Sequence, residues 1–430
     1  EAADDFTRIA LKAKAAKDYF LLVGPPGTGK TSCALKKMVE TFYKEEGAQI
    51  LLLSYTNRAV DEICKALSSI RPEVDFIRVG SELSCDENYR DHLIENELAT
   101  CMRRTEVCER INRCRILVGT VASISGKPEL FRLKHFDVAI VDEATQILEP
   151  QLLGILCAKG ENGKEGVGKF ILIGDHKQLP AVVLQNSEQS EVYDEALSAV
   201  GLKNLKDSLF ERLYRTARQH TDAHRTYDML CRQGRMHPEV ALFANQAFYE
   251  GRLLPVGLPH QLEDSGNINR LSFYPSQPEP MGSSAKTNHS EAKIAARLAA
   301  TVYKEHSEAF DASRTLGIIT PYRSQIALVK KEIEALGIPE LNQILIDTVE
   351  RFQGSERDVI IYSFCVNYPY QLKFLSNLTE EDGILIDRKL NVALTRARKQ
   401  MLLTGVPTLL ERNPLYKSLL KLIESLRNIA

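Results

Sequence analysis

Short apolar runs alternate along the chain with longer stretches of helical periodicity. One set comprises YFLLVG (19–24), QILLLS (49–54), RILVGT (115–120), DVAIVDEA (137–144) and KFILIGD (169–175), and a second comprises LGIITP (316–321), DVIIYSF (358–364) and MLLTGV (401–406). Runs that are apolar throughout, separated by helices, are typical of strands buried on both faces of a parallel sheet. The pattern therefore predicts an α/β fold with parallel sheets covered by helices.

The two sets of runs predict two α/β domains in tandem, residues 1–225 and 226–430. A chain of 430 residues with 44% hydrophobic content is long enough to build two cores. The polar, proline-containing stretch near residues 254–288 is predicted to be a long connection within the second domain. Residues 81–114 are polar and helical in pattern, which predicts a helical insertion that projects from the first domain.

Composition and charge narrow the class of protein. The formal net charge is −2, so any binding of nucleic acid must come from a local groove. The nine cysteines are odd in number and scattered, which implies no disulfide framework and favours a reducing compartment. Neither a run of eighteen apolar residues nor a secretory start is present, so we expect a soluble intracellular protein without a membrane segment.

The strongest motif is GPPGTGKT, which directly follows the first apolar run and precedes a helical stretch. Its glycines allow backbone N–H groups to wrap phosphates, and the helix start adds positive potential. In such a Walker A element the lysine reaches the β- and γ-phosphates and the threonine hydroxyl ligates Mg²⁺. The predicted nucleotide-binding residues are Gly24, Pro25, Pro26, Gly27, Thr28, Gly29, Lys30 and Thr31.

An acidic pair follows the apolar run VAIV, in VAIVDEATQ. Asp142 has the position of a Walker B carboxylate that holds Mg²⁺, and Glu143 is placed to orient or deprotonate the attacking water. Taken alone, two acidic residues after a strand are more often merely solvated. The Walker A element in the same chain favours the catalytic interpretation.

Two further polar stretches border apolar runs. In LIGDHKQLPAVV, the amide of Gln178 is a candidate contact to the γ-phosphate, and the alternative is a capped turn. In LNVALTRARKQ, residues 390–400, Arg396 and Arg398 are predicted to project from a helix. Arginines beside a strand usually lie on a solvated face, so this last stretch carries no function by itself.

The order of nine motifs resembles that of superfamily 1B helicases. They are GPPGTGKT, SYTNRAVDEI, VGTVASI, VDEATQ, GDHKQLP, CRQGRMHPEV, GIITPYRSQ, DTVERFQGSERDVIIYSF and RKLNVALTRARKQ. The likeness runs from about Tyr19 to Leu410. Within the superfamily the chain is most similar to the helicase part of the eukaryotic nuclease-helicase family that trims Okazaki flaps, with senataxin and the nonsense-mediated-decay helicase as relatives.

The resemblance implies two RecA-like domains that bind ATP and Mg²⁺ between them, with one nucleic-acid strand across both. Arg396 matches an arginine finger delivered from the second domain to the γ-phosphate, and Arg235 matches a second finger. Such fingers suit phosphoryl transfer because its charge spreads over equatorial oxygens. Gly354 and Glu356 match positions that approach the γ-phosphate and the ribose, whereas Arg398 is expected to be a solvated neighbour.

The resemblance also implies a set of residues that contact the nucleic-acid strand: Thr56, Asn57, Thr120, Thr320, Tyr322 and Thr348. Hydroxyl and amide side chains can bond phosphates without reading base identity. For each of these residues taken singly, a role in a helix cap or a turn is an equal alternative.

Three features depart from the family pattern. Where relatives carry a glutamine that reads adenine, the stretch DDFTRIAL offers Thr7 and Arg8, and where they carry a tyrosine that stacks on the base, this chain has Gly234. A small β-barrel that precedes the first motif in relatives is missing, and the chain starts at Glu1 without a methionine. We therefore expect a fragment of a longer protein that carries a nuclease or another module.

Two functions of different class follow from these observations. The first is an ATP-dependent helicase or translocase that moves 5′ to 3′ on single-stranded DNA or RNA, with DNA preferred only through the resemblance. The second is a nucleotide-gated clamp that binds nucleic acid or protein and hydrolyses ATP without unwinding. A nuclear location is expected for a eukaryotic source and a cytoplasmic one for a bacterial source.

Overall fold

The protein is described by a computed structural model that covers residues 2–220, 222 and 225–427, with the side chains of residues 2–4 excluded. The chain forms two compact units. The first consists of residues 1–176 and 180–230, and the second of residues 177–179 and 231–430. In the described part of the chain, no helix combines the length and apolarity needed to cross a bilayer.

The first unit contains seven named strands and eleven named helices. The strands are β1 Tyr19–Val23, β2 Ile50–Ser54, β3 Ile77–Val79, β4 Ile116–Thr120, β5 Val138–Val141, β6 Phe170–Gly174 and β7 Tyr227–Met229. The helices are α1 Ala2–Ala15, α2 Lys36–Tyr43, α3 Asn57–Ser68, α4 Ile94–Glu97, α5 Arg104–Arg113, α6 Val121–Ser125, α7 Glu129–Leu133, α8 Glu149–Leu156, α9 Ser187–Ser190, α10 Glu195–Ala199 and α11 Leu209–Arg218. A helical turn over Lys30–Leu35 leads directly into α2.

The strands of the first unit form one parallel sheet in the order β3-β4-β2-β5-β6-β1-β7. Alternate residues of each strand enter two separate cores. Leu22 and Leu52, for example, pack with α1, α2 and α3, whereas Leu21 and Leu53 pack with the helices of the other face. Both faces of the sheet are thus buried, which is why its inner strands are mainly apolar.

The predicted boundary after residue 225 lies too early. Strand β7 pairs with β1 through Leu21 with Tyr227 and Val23 with Met229, so residues up to Leu230 belong to the first unit. A strand of three partly buried residues gives no apolar run, and the sequence pattern therefore missed it.

The predicted insertion at residues 81–114 is helical, and it joins β3 to β4. It contains two short 3₁₀ turns, Glu82–Ser84 and Glu87–His92, followed by the helices α4 and α5. The guanidinium of Arg110 on α5 holds it together, since it forms ion pairs with Asp75 (2.9 Å) and with Glu97 (2.6 Å). The insertion is therefore fixed at its base to the segment that precedes β3.

The second unit contains nine named strands and nine named helices. The strands are β8 Arg232–Gln233, β9 Leu254–Pro255, β10 Leu271–Pro275, β11 Leu316–Ile319, β12 Leu345–Asp347, β13 Arg357–Ser363, β14 Leu378–Glu381, β15 Ile384–Asp387 and β16 Ala397–Gly405. The helices are α12 Pro238–Phe248, α13 Pro259–Leu262, α14 His289–Glu305, α15 Arg323–Glu334, α16 Val349–Phe352, α17 Leu372–Leu375, α18 Arg388–Leu394, α19 Pro407–Leu410 and α20 Pro414–Arg427.

A parallel sheet in the order β10-β16-β13-β11-β12 is the centre of the second unit. Its inner residues, such as Ile318 and Ile361, pack against α14 and α15. The fold class predicted from the apolar runs, two α/β domains with parallel sheets, is confirmed. The prediction that residues 254–288 form a long connection is wrong in part, because β10 lies inside this stretch and pairs with β16.

The stretch LNVALTRARKQ is only partly helical. Helix α18 ends at Leu394, Arg396 follows it, and Arg398 already belongs to β16. After the helix, the backbone continues as the nine-residue strand β16, which pairs with β10 on one side and with β13 on the other. The prediction that both arginines project from one helix is therefore wrong.

Gly317 in β11 gives a first prediction about packing. A Cβ atom at this position would lie 2.7 Å from Cε1 and 2.9 Å from Cζ of the buried Phe352, so Gly317→Ala should crowd the core of the second unit. We expect a loss of about 1 to 3 kcal/mol in the free energy of unfolding. Gly80→Ala is the matched control, because a Cβ there meets nothing within 4 Å. Urea unfolding of both variants makes the test, and equal midpoints would contradict this packing.

Candidate nucleotide and nucleic-acid sites

The loop at residues 24–31 connects β1 to the helical turn over Lys30–Leu35. Gly27 and Gly29 have φ angles of 72° and 78°, a left-handed conformation that disfavours side chains. Thr28 closes the loop, since its hydroxyl donates a hydrogen bond to the carbonyl of Pro25 at 2.6 Å. The loop thus has the left-handed turns and the following helix start by which such loops surround phosphates.

The side chain of Lys30 lies directly over Gly24. A Cβ atom on Gly24 would be only 2.1 Å from Lys30 Cγ and 2.3 Å from Cδ, so only glycine leaves room for this side chain. Lys30 also acts on Asp142 and Glu143, because its positive charge opposes the rise in pKa of both carboxyl groups. The lysine ammonium is therefore held near the acidic pair, as the Walker A interpretation expects.

Thr31 and Asp142 join the loop to the sheet. The Thr31 hydroxyl donates a hydrogen bond to Asp142 Oδ2, and the backbone N–H of Asp142 donates to Leu53 at 2.8 Å. Burial raises the pKa of Asp142, whereas the Thr31 hydroxyl and Lys30 oppose this rise. A hydroxyl beside a carboxylate is the oxygen donor set that Mg²⁺ takes together with phosphate oxygens and water, so these residues fit the ion.

Glu143 has an unusual backbone. Its φ is 51°, in the left-handed region, although it is not glycine. Its N–H donates a hydrogen bond to Asp142 Oδ1 at 2.9 Å. Burial, and then the charge of Asp142, raise its pKa to about 7. Strained residues with perturbed pKa values concentrate at functional sites.

Gln178 lies in the short piece, residues 177–179, that belongs to the second unit. The neighbouring Lys177 fixes this piece, because its ammonium donates to the carbonyl of Phe248 at 2.7 Å and its carbonyl accepts from Asn391 Nδ2 at 2.8 Å. Gln178 is itself buried. The chain that leaves β6 is thus packed into the second unit over three residues, which the sequence did not indicate.

Arg235 and Glu356 come together in the second unit. The Nε of Arg235 lies 2.6 Å from Glu356 Oε2, and its Nη1 donates to the carbonyl of Thr395 at 3.2 Å. Gly354, in the loop just before, has a φ of 77°. The structure therefore joins residues from two of the motifs named above, CRQGRMHPEV and DTVERFQGSERDVIIYSF, and it connects them to the end of α18.

Arg396 and Arg398 have opposite surroundings. Arg396 is only 2% exposed, and its guanidinium donates to the carbonyls of Val392 (3.0 Å) and Ser355 (3.3 Å). The side chain of Arg398 is 34% exposed and pairs with Asp358 at 2.9 Å. Arg398 is therefore ion-paired rather than simply solvated, and Asp358 is a partner that no motif spacing reveals.

The candidate strand-contacting residues of the first unit lie at the carboxyl ends of neighbouring strands. Thr120 ends β4 opposite Ser54 of β2, and Thr56 and Asn57 follow β2 within three residues. Thr56 and Thr120 also cap helices, since their hydroxyls accept hydrogen bonds from the N–H groups of Ala59 and Ser123. The capping role, an alternative from the sequence, is thus present for both threonines.

In the second unit, Thr320 and Thr348 follow the paired strands β11 and β12, and Tyr322 directly precedes α15 as its N-cap residue. Thr348 and Tyr322 make no side-chain capping bond, whereas the Tyr322 hydroxyl accepts from Gln371 at 3.2 Å. Thr320 is fully buried. Each unit therefore gathers three of the six candidates at one edge of its own sheet.

Arg8 and Gly234 lie at the two positions where the chain departs from the family pattern, and neither has a strained backbone or an unusual contact. Arg8 donates a hydrogen bond to Asp228 Oδ2 at 2.7 Å, so its guanidinium is directed to β7. Gly234 does not have a positive φ, and a Cβ there would lie 3.3 Å from Leu258 Cδ1. A side chain at position 234 would thus need only a small shift of Leu258.

The first unit is the nucleotide-binding domain of a P-loop nucleoside triphosphatase, because a Walker A loop and a Walker B carboxylate meet at one edge of a buried parallel sheet. Two family profiles, both described as an AAA domain, match the chain. One matches residues 205–408, and the other matches residues 3–107 and 96–186.

Several curated relatives align with nearly the whole chain. The DNA replication ATP-dependent helicase/nuclease DNA2 of Gallus gallus is 30% identical over 94% of this chain and 36% of the relative, and that of Homo sapiens is 29% identical over 95% and 37%. The DNA polymerase alpha-associated DNA helicase A of Saccharomyces cerevisiae is 26% identical over 95% and 65%. The chain belongs to superfamily 1B of the ATP-dependent helicases, and it spans about a third of the length of the helicase/nucleases that it matches.

The pKa of Glu143 leads to a prediction about stability. A carboxyl group whose pKa rises from 4.5 to about 7 on folding stabilises the fold below pH 4.5, and this contribution is lost as the pH rises to 7. Glu143→Gln should therefore be more stable than wild type at pH 8 by about 1 to 3 kcal/mol, and no more stable at pH 4.5. Urea unfolding at both pH values measures this difference.

The same substitution at Glu161, an exposed loop residue, controls for the general effect of removing a carboxylate. A stability gain at Glu143 that does not change between pH 4.5 and pH 8 would show that the side chain is not held in the environment described.

Proposed function

We propose that the chain is the motor of an ATP-driven helicase that translocates 5′ to 3′ on single-stranded nucleic acid, with DNA preferred. The observation that carries this proposal is the hydrogen bond between Thr31 and Asp142, with Lys30 and Glu143 beside it. These four residues are the parts needed to bind and hydrolyse a nucleoside triphosphate. Nucleic acid is proposed as the binding partner because the chain belongs to a superfamily of helicases.

Each residue of the first unit has a distinct role in the proposed reaction. The backbone of residues 24–29 holds the phosphates, and Lys30 neutralises the charge of the β- and γ-phosphates. A magnesium ion held by Thr31 and Asp142 would supply further charge neutralisation. Glu143, whose pKa is raised to about 7, accepts a proton from the attacking water or orients it.

Residues of the second unit complete the proposed catalytic set. Arg235 and Arg396 supply positive charge to the transition state, in which charge spreads over the transferred phosphoryl oxygens. Gln178 contacts the γ-phosphate, and Gly354 and Glu356 approach the γ-phosphate and the ribose. The packing of residues 177–179 into the second unit supports a role for Gln178 in reporting the nucleotide to that unit.

The strand is proposed to bind at the two groups of polar residues described above, Thr56, Asn57 and Thr120 in the first unit and Thr320, Tyr322 and Thr348 in the second. Short hydroxyl and amide groups contact phosphates without reading bases. The helicase/nuclease relatives are named for DNA replication, so DNA is the proposed substrate and the nucleus is the proposed location in a eukaryote. A nuclease module, as in the helicase/nucleases, is proposed for the longer parent chain.

The proposal is tested by ATPase assays and strand displacement. Single-stranded DNA should stimulate ATP hydrolysis more than RNA of matched sequence, and a duplex with a 5′ tail should be unwound in preference to one with a 3′ tail. Lys30→Ala should abolish hydrolysis, whereas Glu143→Gln should retain bound ATP without turning it over. Stimulation by nucleic acid without strand displacement would instead support the clamp, and near wild-type turnover in Glu143→Gln would remove its catalytic role.

Arg396 and Arg398 offer a matched pair on one short segment. Arg396→Ala should lower kcat far more than ATP affinity, because a finger acts mainly in the transition state, with losses of about 10³-fold or more. Arg398→Ala should change kcat little. Because Arg396 is buried, Arg396→Lys and a thermal melt of each variant separate lost folding from lost charge. If instead Arg398→Ala abolished turnover and Arg396→Ala did not, the assignment of the finger would be wrong.

A further inference from the structure

Phe6 of α1 lies against the phosphate-binding loop. A Cβ atom on Gly29 would be 3.7 Å from Phe6 Cζ and 3.3 Å from Cys33 Sγ, so the ring and the thiol border the same side of this glycine. Phe6 is partly buried against the core that α1 shares with the sheet, and the rest of its surface is open. An aromatic side chain at the edge of a nucleotide loop can bind a ligand as well as fill space.

The position of Phe6 relative to the helical turn indicates which end of the nucleotide it meets. Thr31, bonded to Asp142, lies on the side where a magnesium ion and the γ-phosphate would bind. Cys33 is two residues further along the helix, roughly half a turn around its axis. Phe6 shares the side of Cys33, and it therefore lies away from Asp142. A nucleotide bound with its γ-phosphate beside Asp142 would direct its nucleoside toward this opposite side of the loop.

Two basic side chains of α1 form ion pairs with β7. Arg8 pairs with Asp228 at 2.7 Å, and Lys12 lies 3.3 Å from the same carboxylate. These two ion pairs tie α1 to β7. Arg8 is thus committed to a structural contact, whereas Phe6 presents an apolar ring toward the loop.

We propose that Phe6 is the residue of the first unit that contacts the base of the bound nucleotide, by aromatic packing. This inference rests on the proposed nucleotide-binding function. Affinity that comes from packing increases with the area of the base, whereas affinity that comes from hydrogen bonds depends on which donors and acceptors the edge of the base carries. ATP and GTP should therefore bind with similar affinity, and both should bind more tightly than CTP.

A tryptophan at this position is a direct reporter, because the 430-residue sequence contains none. Phe6→Trp makes the indole at the loop the sole tryptophan of the protein. Its emission should change when ADP is added and should not change with inorganic tripolyphosphate, which has no base. Leu11→Trp is the control, since Leu11 is 55% exposed and lies roughly one and a half turns further along α1. Its emission should not respond to either compound.

Calorimetric titrations test the energetic role. Phe6→Ala should weaken binding of ADP by about fivefold to a hundredfold and leave tripolyphosphate binding within about twofold. Phe6→Leu retains apolar packing against the core but lacks the ring, so it should lose nucleotide affinity in the same way. Leu11→Ala should bind ADP like wild type, and a thermal melt of each variant establishes that it is folded.

The outcomes separate this inference from the proposed function. Wild-type protein that binds neither ADP nor tripolyphosphate would remove the nucleotide site and the inference with it. Wild-type protein that binds ADP, together with unchanged affinity in Phe6→Ala or in Phe6→Leu, would overturn the role of Phe6 alone. A preference for ATP over GTP of tenfold or more in the wild type would also overturn base selection by packing.

Discussion

The burial of both faces of the two parallel sheets determines where chemistry can occur in this protein. Strand β5 is apolar on every residue, and β2 on every residue before Ser54 at its end, because helices cover both of their sides and a charged side chain would be buried there without water. Polar residues are consequently displaced to the strand ends. Since all strands of a parallel sheet end at the same edge, Asp142 after β5 and the loop after β1 necessarily meet there. The hydrogen bond from Thr31 to Asp142 is a result of this constraint.

Burial also sets the electrostatics of that edge. Removing water from two adjacent carboxyl groups disfavours their charged forms, and Lys30 opposes this effect on both Asp142 and Glu143. Glu143, the second of these residues, has a left-handed backbone and follows directly after the end of β5 and Asp142. One strained residue thus allows one carboxyl group to stay beside Thr31 while the next, with a pKa of about 7, is available to exchange a proton near neutral pH.

The apolar runs predicted every strand that they cover, because a strand buried on both faces of a parallel sheet consists mainly of apolar residues. The short edge strands β3, β7, β10 and β12 lack such runs, and three to five residues of mixed polarity cannot be distinguished from a loop by their sequence. The Walker residues were predictable since their order along the chain fixes their contacts. The pairing of Arg398 with Asp358, and the approach of Phe6 to Gly29, join segments whose spacing has no characteristic pattern.

The two proposed arginine fingers differ in what a phosphate would have to displace. Arg235 already pairs with the carboxylate of Glu356, which is 46% exposed, so a phosphate would compete with a charge that water can readily take over. Arg396 is buried and donates to the neutral carbonyls of Val392 and Ser355. These two backbone carbonyls fix the direction of the buried guanidinium. Arg235 is therefore suited to switch partners during a cycle, whereas Arg396 is suited to act from a fixed position.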